Sequence, residues 1–186
     1  MMTIDDVILT AIGQCEGTVV RGRTRLQKIL YFLSLRLGMD AMFTPHYYGP
    51  YSELVARSVD SLAARGLVQE EVKQEPSEGP FERRQYDYSL TDAGREVLAR
   101  LRAATPTRYR AVGKELQALL SEHPSTQALA VASKLHVIVS ESDREVPITS
   151  LSKRARKFGW AIREQAVQDG AEFLVDKGFA EKVPFR

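Results

Sequence analysis

Apolar side chains recur every three to four residues along most of this chain, and the breaks in that rhythm mark the ends of its elements. Ile4, Val7, Ile8, Ala11 and Ile12 fall at i, i+3, i+4, i+7 and i+8, the spacing of one buried helix face. Thr3 stands where an N-cap belongs, and Asp5 and Asp6 suit the positive end of that helix. Gly17 is expected to end it, and β-branched Thr18-Val19-Val20 predicts a short strand. From about Thr24 to Leu37, a second stripe holds Leu26, Ile29, Leu30, Leu33 and Leu37, while Tyr31, Phe32 and Leu35 make the other surface apolar too. A helix so apolar all round should be central, or should hold a partner.

The pattern then breaks at Pro45-His46-Tyr47-Tyr48-Gly49-Pro50-Tyr51-Ser52. Gly49-Pro50 predicts a turn with a helix starting at once, because proline presets φ and lacks only a donor that a first helical turn leaves unpaired. Leu54, Val55, Val59 and Leu62 mark the buried stripe of that third helix, with Gly66 as its left-handed stop. Tyr47, Tyr48 and Tyr51 crowd the corner. They either fill the angle between helices two and three or present a protein-binding surface. Adjacent side chains in an extended approach cannot both point inward, so Tyr48 and Tyr51 are expected to pack and Tyr47 to be exposed.

Beyond Gly66, residues 67–73 read as a strand and 75–80 as a turn-rich loop. Tyr86, Tyr88 and Leu90 alternate with polar neighbours as a returning strand. Thr91 caps a helix whose Val97, Leu98 and Leu101 face inward. This order predicts a mainly α fold with a small β-hairpin: a winged helix-turn-helix domain over 1–104, then a helical C-terminal domain over 105–186. Thr105-Pro106-Thr107 is the expected boundary. In the second part, Val112, Leu116, Leu119 and Leu120 outline one helix and Leu129, Ala132, Leu135 and Ile138 another, capped by Ser125 or Thr126. Thr149 is the expected cap of a helix bearing Leu151, Ala155 and Phe158, and a last helix should end at Gly178. Residues 61–70 and 173–182 share a helix end, a basic residue, a glycine stop and a strand-like exit. The second half therefore reads either as a wingless helix-turn-helix unit or as an unrelated helical cap.

Composition narrows the class without naming it. The 186 residues are 44% hydrophobic and 27% charged, ordinary for a soluble globular protein. No run approaches the roughly 18 apolar residues of a membrane span, so no membrane partner is expected. Asp5 and Asp6 stand where an export signal would want lysine and an apolar run. Cys15 is the one cysteine, reads as a buried structural thiol, and suits a reducing, cytoplasmic setting. Net charge is +2, with 13 Lys+Arg against 14 Asp+Glu in 1–104 and 13 against 10 in 105–186. The positive excess thus lies outside the winged-helix pattern.

Nucleic-acid contacts are the first chemistry such a fold invites. Segment 50–65 carries Arg57 and Arg65 against Glu53 and Asp60 and has no Asn or Gln, although Ser52, Ser58 and Ser61 could join Arg57. Arg21, Arg23, Arg25 and Lys28 open helix two without an acid among them. Arg83 and Arg84 begin the wing's return strand, where wings touch phosphate. Lys153, Arg154, Arg156, Lys157 and Arg163 form the densest patch, interleaved with Phe158 and Trp160. That mixture suits backbone contact and base stacking; the plainer reading is a solvated helix face whose aromatics are core. Catalytic signals are absent. His46, His123 and His136 are scattered without a second ligand at helical spacing, and neighbouring Glu70 and Glu71 point to opposite strand faces. No catalytic residue, metal site or cofactor is expected.

Two stretches resemble known families. Gly66-Leu67-Val68 followed by Tyr88-Ser89-Leu90-Thr91-Asp92-Ala93-Gly94 is similar to the exit and wing return of MarR- and PadR-type winged-helix regulators. Thr24-Arg25-Leu26-Gln27-Lys28-Ile29-Leu30-Tyr31-Phe32-Leu33 with Tyr47-Tyr48-Gly49-Pro50-Tyr51-Ser52 resembles YwgA-like proteins of unknown function and, more distantly, Panacea or SocA-like antitoxin domains. That likeness covers roughly 4–104. It implies the fold and a habit of protein partners, and for the antitoxin-like members toxin neutralisation or adaptor work. The expectation is a non-enzymatic cytoplasmic regulator or adaptor with nucleic acid as the favoured target. The alternative is a protein-interaction module for a toxin or another operon-encoded protein. Winged-helix regulators are commonly dimers, so a homodimer fits either.

Overall fold

Thr3 accepts the Asp6 amide at 3.2 Å while Asp6 accepts the Thr3 amide at 2.8 Å, a capping box that starts α1 (Ile4–Gln14). In the computed structural model, which describes residues 2–15, 19–75, 83–142 and 146–180, the chain continues as β1 (Val19–Arg21), α2 (Arg23–Leu37), α3 (Glu53–Ala64), β2 (Val68–Glu75) and β3 (Arg83–Leu90). It then runs through α4 (Asp92–Ala104), α5 (Pro106–Leu120), α6 (Thr126–Ser140), α7 (Ile148–Lys157) and α8 (Glu164–Asp176). Gly17, Thr18 and most of the hairpin loop lie outside the described residues.

The fold is mainly helical with one three-stranded antiparallel sheet, ordered β1-β3-β2. Val68 pairs with Leu90 and Val72 with Tyr86, so the expected hairpin forms; Val19 pairs with Ser89 on the other edge of β3. Alternation does its expected work: Tyr88 and Leu90 are buried on one face. Asp87, on the opposite face, is also buried, and takes Lys73 Nζ at 3.0 Å and Gln85 Nε2 at 2.7 Å. A buried carboxylate needs such partners.

α2 is central, as its all-round apolarity requires. Ile29, Leu30, Phe32 and Leu33 are at most 1% exposed, and the helix touches α1, α3, the sheet, α5 and α6. One hydrophobic cluster runs from Val7 in α1 to Leu174 in α8. Thr105 is the single residue between α4 and α5, and α5 packs back onto α1 and α2. Within α2, Tyr31 donates or accepts at 2.7 Å with His136 Nδ1 of α6, and Phe32 meets Phe179 at 4.7 Å.

Three local expectations need correction. α3 does not begin at Pro50 but after Ser52, whose side chain accepts the Val55 amide at 3.1 Å. A serine cap satisfies an orphan donor that proline leaves alone. Leu54 is not in the α3 stripe: it is 38% exposed, whereas Val55, Ser58, Val59 and Leu62 are buried. α7 starts at Ile148 behind Pro147, so Thr149 lies inside the first turn rather than capping it.

The two similar segments share a helix stop. Leu67 N donates to Leu62 O at 2.9 Å and Gly66 N to Ala63 O at 2.9 Å; Phe179 N donates to Leu174 O at 2.7 Å and Gly178 N to Val175 O at 2.9 Å. This is the Schellman closure in both. α7 ends the same way, with Trp160 N on Ala155 O and Gly159 N on Arg156 O, both 3.0 Å. These three helices of the described chain thus end in the same closure.

Candidate interaction surface at the tyrosine turn

The polar pair Gln27-Lys28 sits in the apolar middle of α2 and is buried, 6% and 2% exposed. Gln27 Nε2 donates to Ser52 O and Ser52 N donates to Gln27 Oε1, each at 3.0 Å. Ser52 Oγ donates to Ala41 O. Lys28 Nζ donates to Pro50 O at 2.6 Å. Burial, and secondarily the neighbouring Lys134, pushes the Lys28 ammonium down to about 7. The two polar side chains of helix two thus hold the two ends of Pro50-Tyr51-Ser52.

The rest of the corner is pinned from other elements. Gly49 N donates to His46 O at 2.9 Å, closing a β-turn over 46–49, and Thr44 and Tyr51 exchange backbone bonds at 2.9 Å. Trp160 Nε1 donates to His46 O at 2.7 Å. Gly49 has φ +97°, and a Cβ there would lie 3.1 Å from Lys134 Cγ and 3.3 Å from Lys28 Cε. Both the left-handed backbone and the close approach call for glycine.

Tyr47 and Tyr48 occupy the two central positions of that turn and are 69% and 61% exposed. Their rings meet edge to face, centroids 4.9 Å apart at 88°. The exposure of Tyr47 is as expected; that of Tyr48 is a correction. The two residues form the turn itself rather than an extended approach to it, so alternation does not apply and both rings project outward. Tyr51 is half-buried against the His46 ring at 5.3 Å.

The basic residues are distributed over several elements. Arg21 is exposed at the end of β1. Arg23 Nε donates to Tyr88 Oη at 3.0 Å, its guanidinium lies 3.8 Å over the Tyr86 ring, and it pairs with Glu70 at 3.2 Å. Arg25 donates to Pro124 O at 2.8 Å. On α3, Arg57 pairs with Glu53 at 3.3 Å and Arg65 with Asp5 at 3.2 Å, while Ser52 and Ser58 are buried. Those two serines therefore face away from any duplex laid on α3. Arg84 is exposed on β3, and the Arg83 side chain lies outside the described residues.

On α7, Lys153, Arg156 and Lys157 are exposed at i, i+3 and i+4, one helix face, whereas Arg154 donates to the Ser142 hydroxyl. Trp160 is 2% exposed and stacks on Phe158 at 4.7 Å and 13°. The tryptophan interleaved with this patch is core, so base stacking on it is closed off.

The role of Gln27 and Lys28 was not read from the sequence, where Lys28 stands in a basic group and both lie in the stretch that resembles YwgA-like proteins. The available signal was the pair itself, two polar side chains flanked by Leu26 and Ile29 in a helix with no other reason to carry them. Among the described residues no helix is long and apolar enough to cross a membrane.

No known family model matches the chain. It is similar to "Uncharacterized protein YwgA" of Bacillus subtilis (strain 168), 35% identical over 84 residues. That match spans 45% of this chain and 47% of the relative, about half the length of each, and over that part the chain is YwgA-like.

Proposed function

We propose that α1 through α4, within residues 1–104, form a winged helix-turn-helix unit that works as a non-enzymatic adaptor, presenting the tyrosine turn to a partner protein. One observation carries the reading: two large aromatic rings are held out in solvent on a turn braced from beneath by Gln27, Lys28 and Trp160. Exposed aromatics on a rigid support lose little entropy on binding and are favoured interface anchors. The α3 face supports the same choice, since its arginines are paired with acids and two of its serines are buried. The distant likeness to antitoxin domains points to an operon-encoded protein, such as a toxin, as the partner.

Nucleic-acid binding is the second reading, favoured by Lys153, Arg156 and Lys157 on one exposed face of α7. Photo-crosslinking from position 45, exposed beside the turn, in the native host and read by mass spectrometry separates the two. The adaptor reading expects one dominant crosslinked protein, lost in Tyr47→Ala/Tyr48→Ala and retained in Lys153→Ala/Arg156→Ala/Lys157→Ala. For the second reading, duplex titration at several salt concentrations should lose about 0.9 of log-log slope per phosphate contact in the α7 variant. A duplex affinity that falls only with the α7 variant, with no specific crosslink at the turn, sinks the adaptor reading.

A further inference from the structure

Ile4, Leu37 and Leu54 belong by periodicity to the buried stripes of three different helices, yet none is buried. All three open onto one groove of about 560 Å³ between α1, the C-terminal end of α2, the start of α3 and α5. Met2 and Met39 add two flexible thioether side chains to its wall. This volume lies within the range of small-molecule sites. The apolar excess of three helices converges on one concave place, and the described residues leave it uncovered.

Charge at the rim selects what could fill it. Arg108, on α5, lines the groove and is exposed, and among the described residues it has no hydrogen-bond or ion-pair partner. Among the described lining residues the other charged group is Asp40, which accepts the Met42 amide at 3.0 Å and keeps its negative charge, so a ligand carboxylate belongs at Arg108 and away from Asp40. An apolar slot with one uncommitted guanidinium fits an apolar chain ending in a single carboxylate, which the guanidinium can hold by charge-assisted hydrogen bonds. We infer that this groove binds a free medium-chain monocarboxylate, its chain along Ile4, Leu37 and Leu54 and its carboxylate on Arg108. This site is separate from the tyrosine turn and does not depend on the adaptor reading.

Octanoate is the probe, titrated calorimetrically against the full chain and followed by the methyl resonances of methyl-labelled methionine. The expected result is one octanoate per chain, shifts at Met2 and Met39, and none at Met42, which does not line the groove. Octan-1-ol, with the same chain and no charge, should bind about tenfold more weakly. Arg108→Gln, at an exposed position that should not disturb folding, should reduce octanoate to the level of octanol. Leu54→Asp should weaken both ligands. The inference is overturned if octanoate does not bind, if Arg108→Gln binds it as tightly as the wild type, or if the alcohol matches the acid.

Discussion

Gln27 and Ser52 hold each other by a reciprocal pair of hydrogen bonds, side-chain amide to backbone amide, both 3.0 Å and both buried. A glutamine is the side chain suited to this: its carbonyl accepts the Ser52 N–H while its NH₂ donates to the Ser52 carbonyl. The bond joins the middle of α2 to the cap of α3, and so sets where the tyrosine turn stands. It also gives a physical reason why the Leu26-Gln27-Lys28 and Gly49-Pro50-Tyr51-Ser52 stretches occur together: each satisfies the buried polar groups of the other.

Gln27→Ala should therefore lower stability by about 3 kcal/mol, since it leaves a buried donor and a buried acceptor unpaired. Denaturant unfolding measures this directly. A loss below about 0.5 kcal/mol, the usual range for surface changes, would mean that water replaces the glutamine without penalty.

Lys28 makes a prediction about pH. Its folded-state pKa of about 7 lies below the ordinary 10.5, so between those values the unfolded chain binds a proton that the folded chain does not. Stability should then rise as pH rises from about 7 towards 10.5, and this contribution should be flat below 7, where lysine is charged in both states. Lys28→Met keeps the stem and removes the titration. The slope above pH 7 should be shallower in that variant, and identical slopes would show that Lys28 keeps its charge in the fold.

Among the described glycines, Gly94 should be the least tolerant of a side chain. A Cβ there would lie 2.0 Å from the backbone oxygen of Leu67, while Thr91 N donates to that same oxygen at 3.2 Å and Thr91 Oγ donates to Gly66 O at 2.6 Å. The start of α4 is thus pressed onto the exit of α3, and backbone cannot move aside as a flexible side chain can. Gly94→Ala is expected to cost at least ~2 kcal/mol, within the range for overpacking. Gly159→Ala, with nothing within 4 Å, makes a control limited to backbone strain. Equal losses in the two would contradict the close approach.

Tyr47→Ala and Tyr48→Ala should each change stability by less than about 0.5 kcal/mol, since both rings are solvent-exposed. Tyr51→Ala, half-buried against His46, should cost more than either. Thermal melts of the three variants decide it, and a Tyr48→Ala loss of the size of a core aromatic, about 3–5 kcal/mol, would return that ring to the packed interior.

The elements of this fold were legible because their signals are local. Thr3, Thr91 and Ser125 cap helices with side-chain bonds to amides three residues on, a geometry that depends on nothing distant. Gly66 and Gly178 close helices through the backbone of the preceding turn, and the alternation around Tyr88 and Leu90 sets the face of a strand before its partner is known. The candidate site was legible only in part. Tyr47 and Tyr48 stand out as residues, but their exposure follows from a turn that is anchored 114 positions away in sequence, at Trp160 Nε1 on His46 O.

By itself, then, the sequence determined the helices, the hairpin and the centrality of α2, all consequences of periodicity and capping over a few residues. Tertiary structure alone decided which polar groups satisfy each other across distance: Gln27 with Ser52, Lys28 with Pro50, Asp87 with Lys73. It also decided that Leu54 and Tyr48 face outward and that Ile4, Leu37 and Leu54 share one groove. Periodicity states that a face is apolar, but whether another element covers that face depends on how helices far apart in the chain are placed against each other.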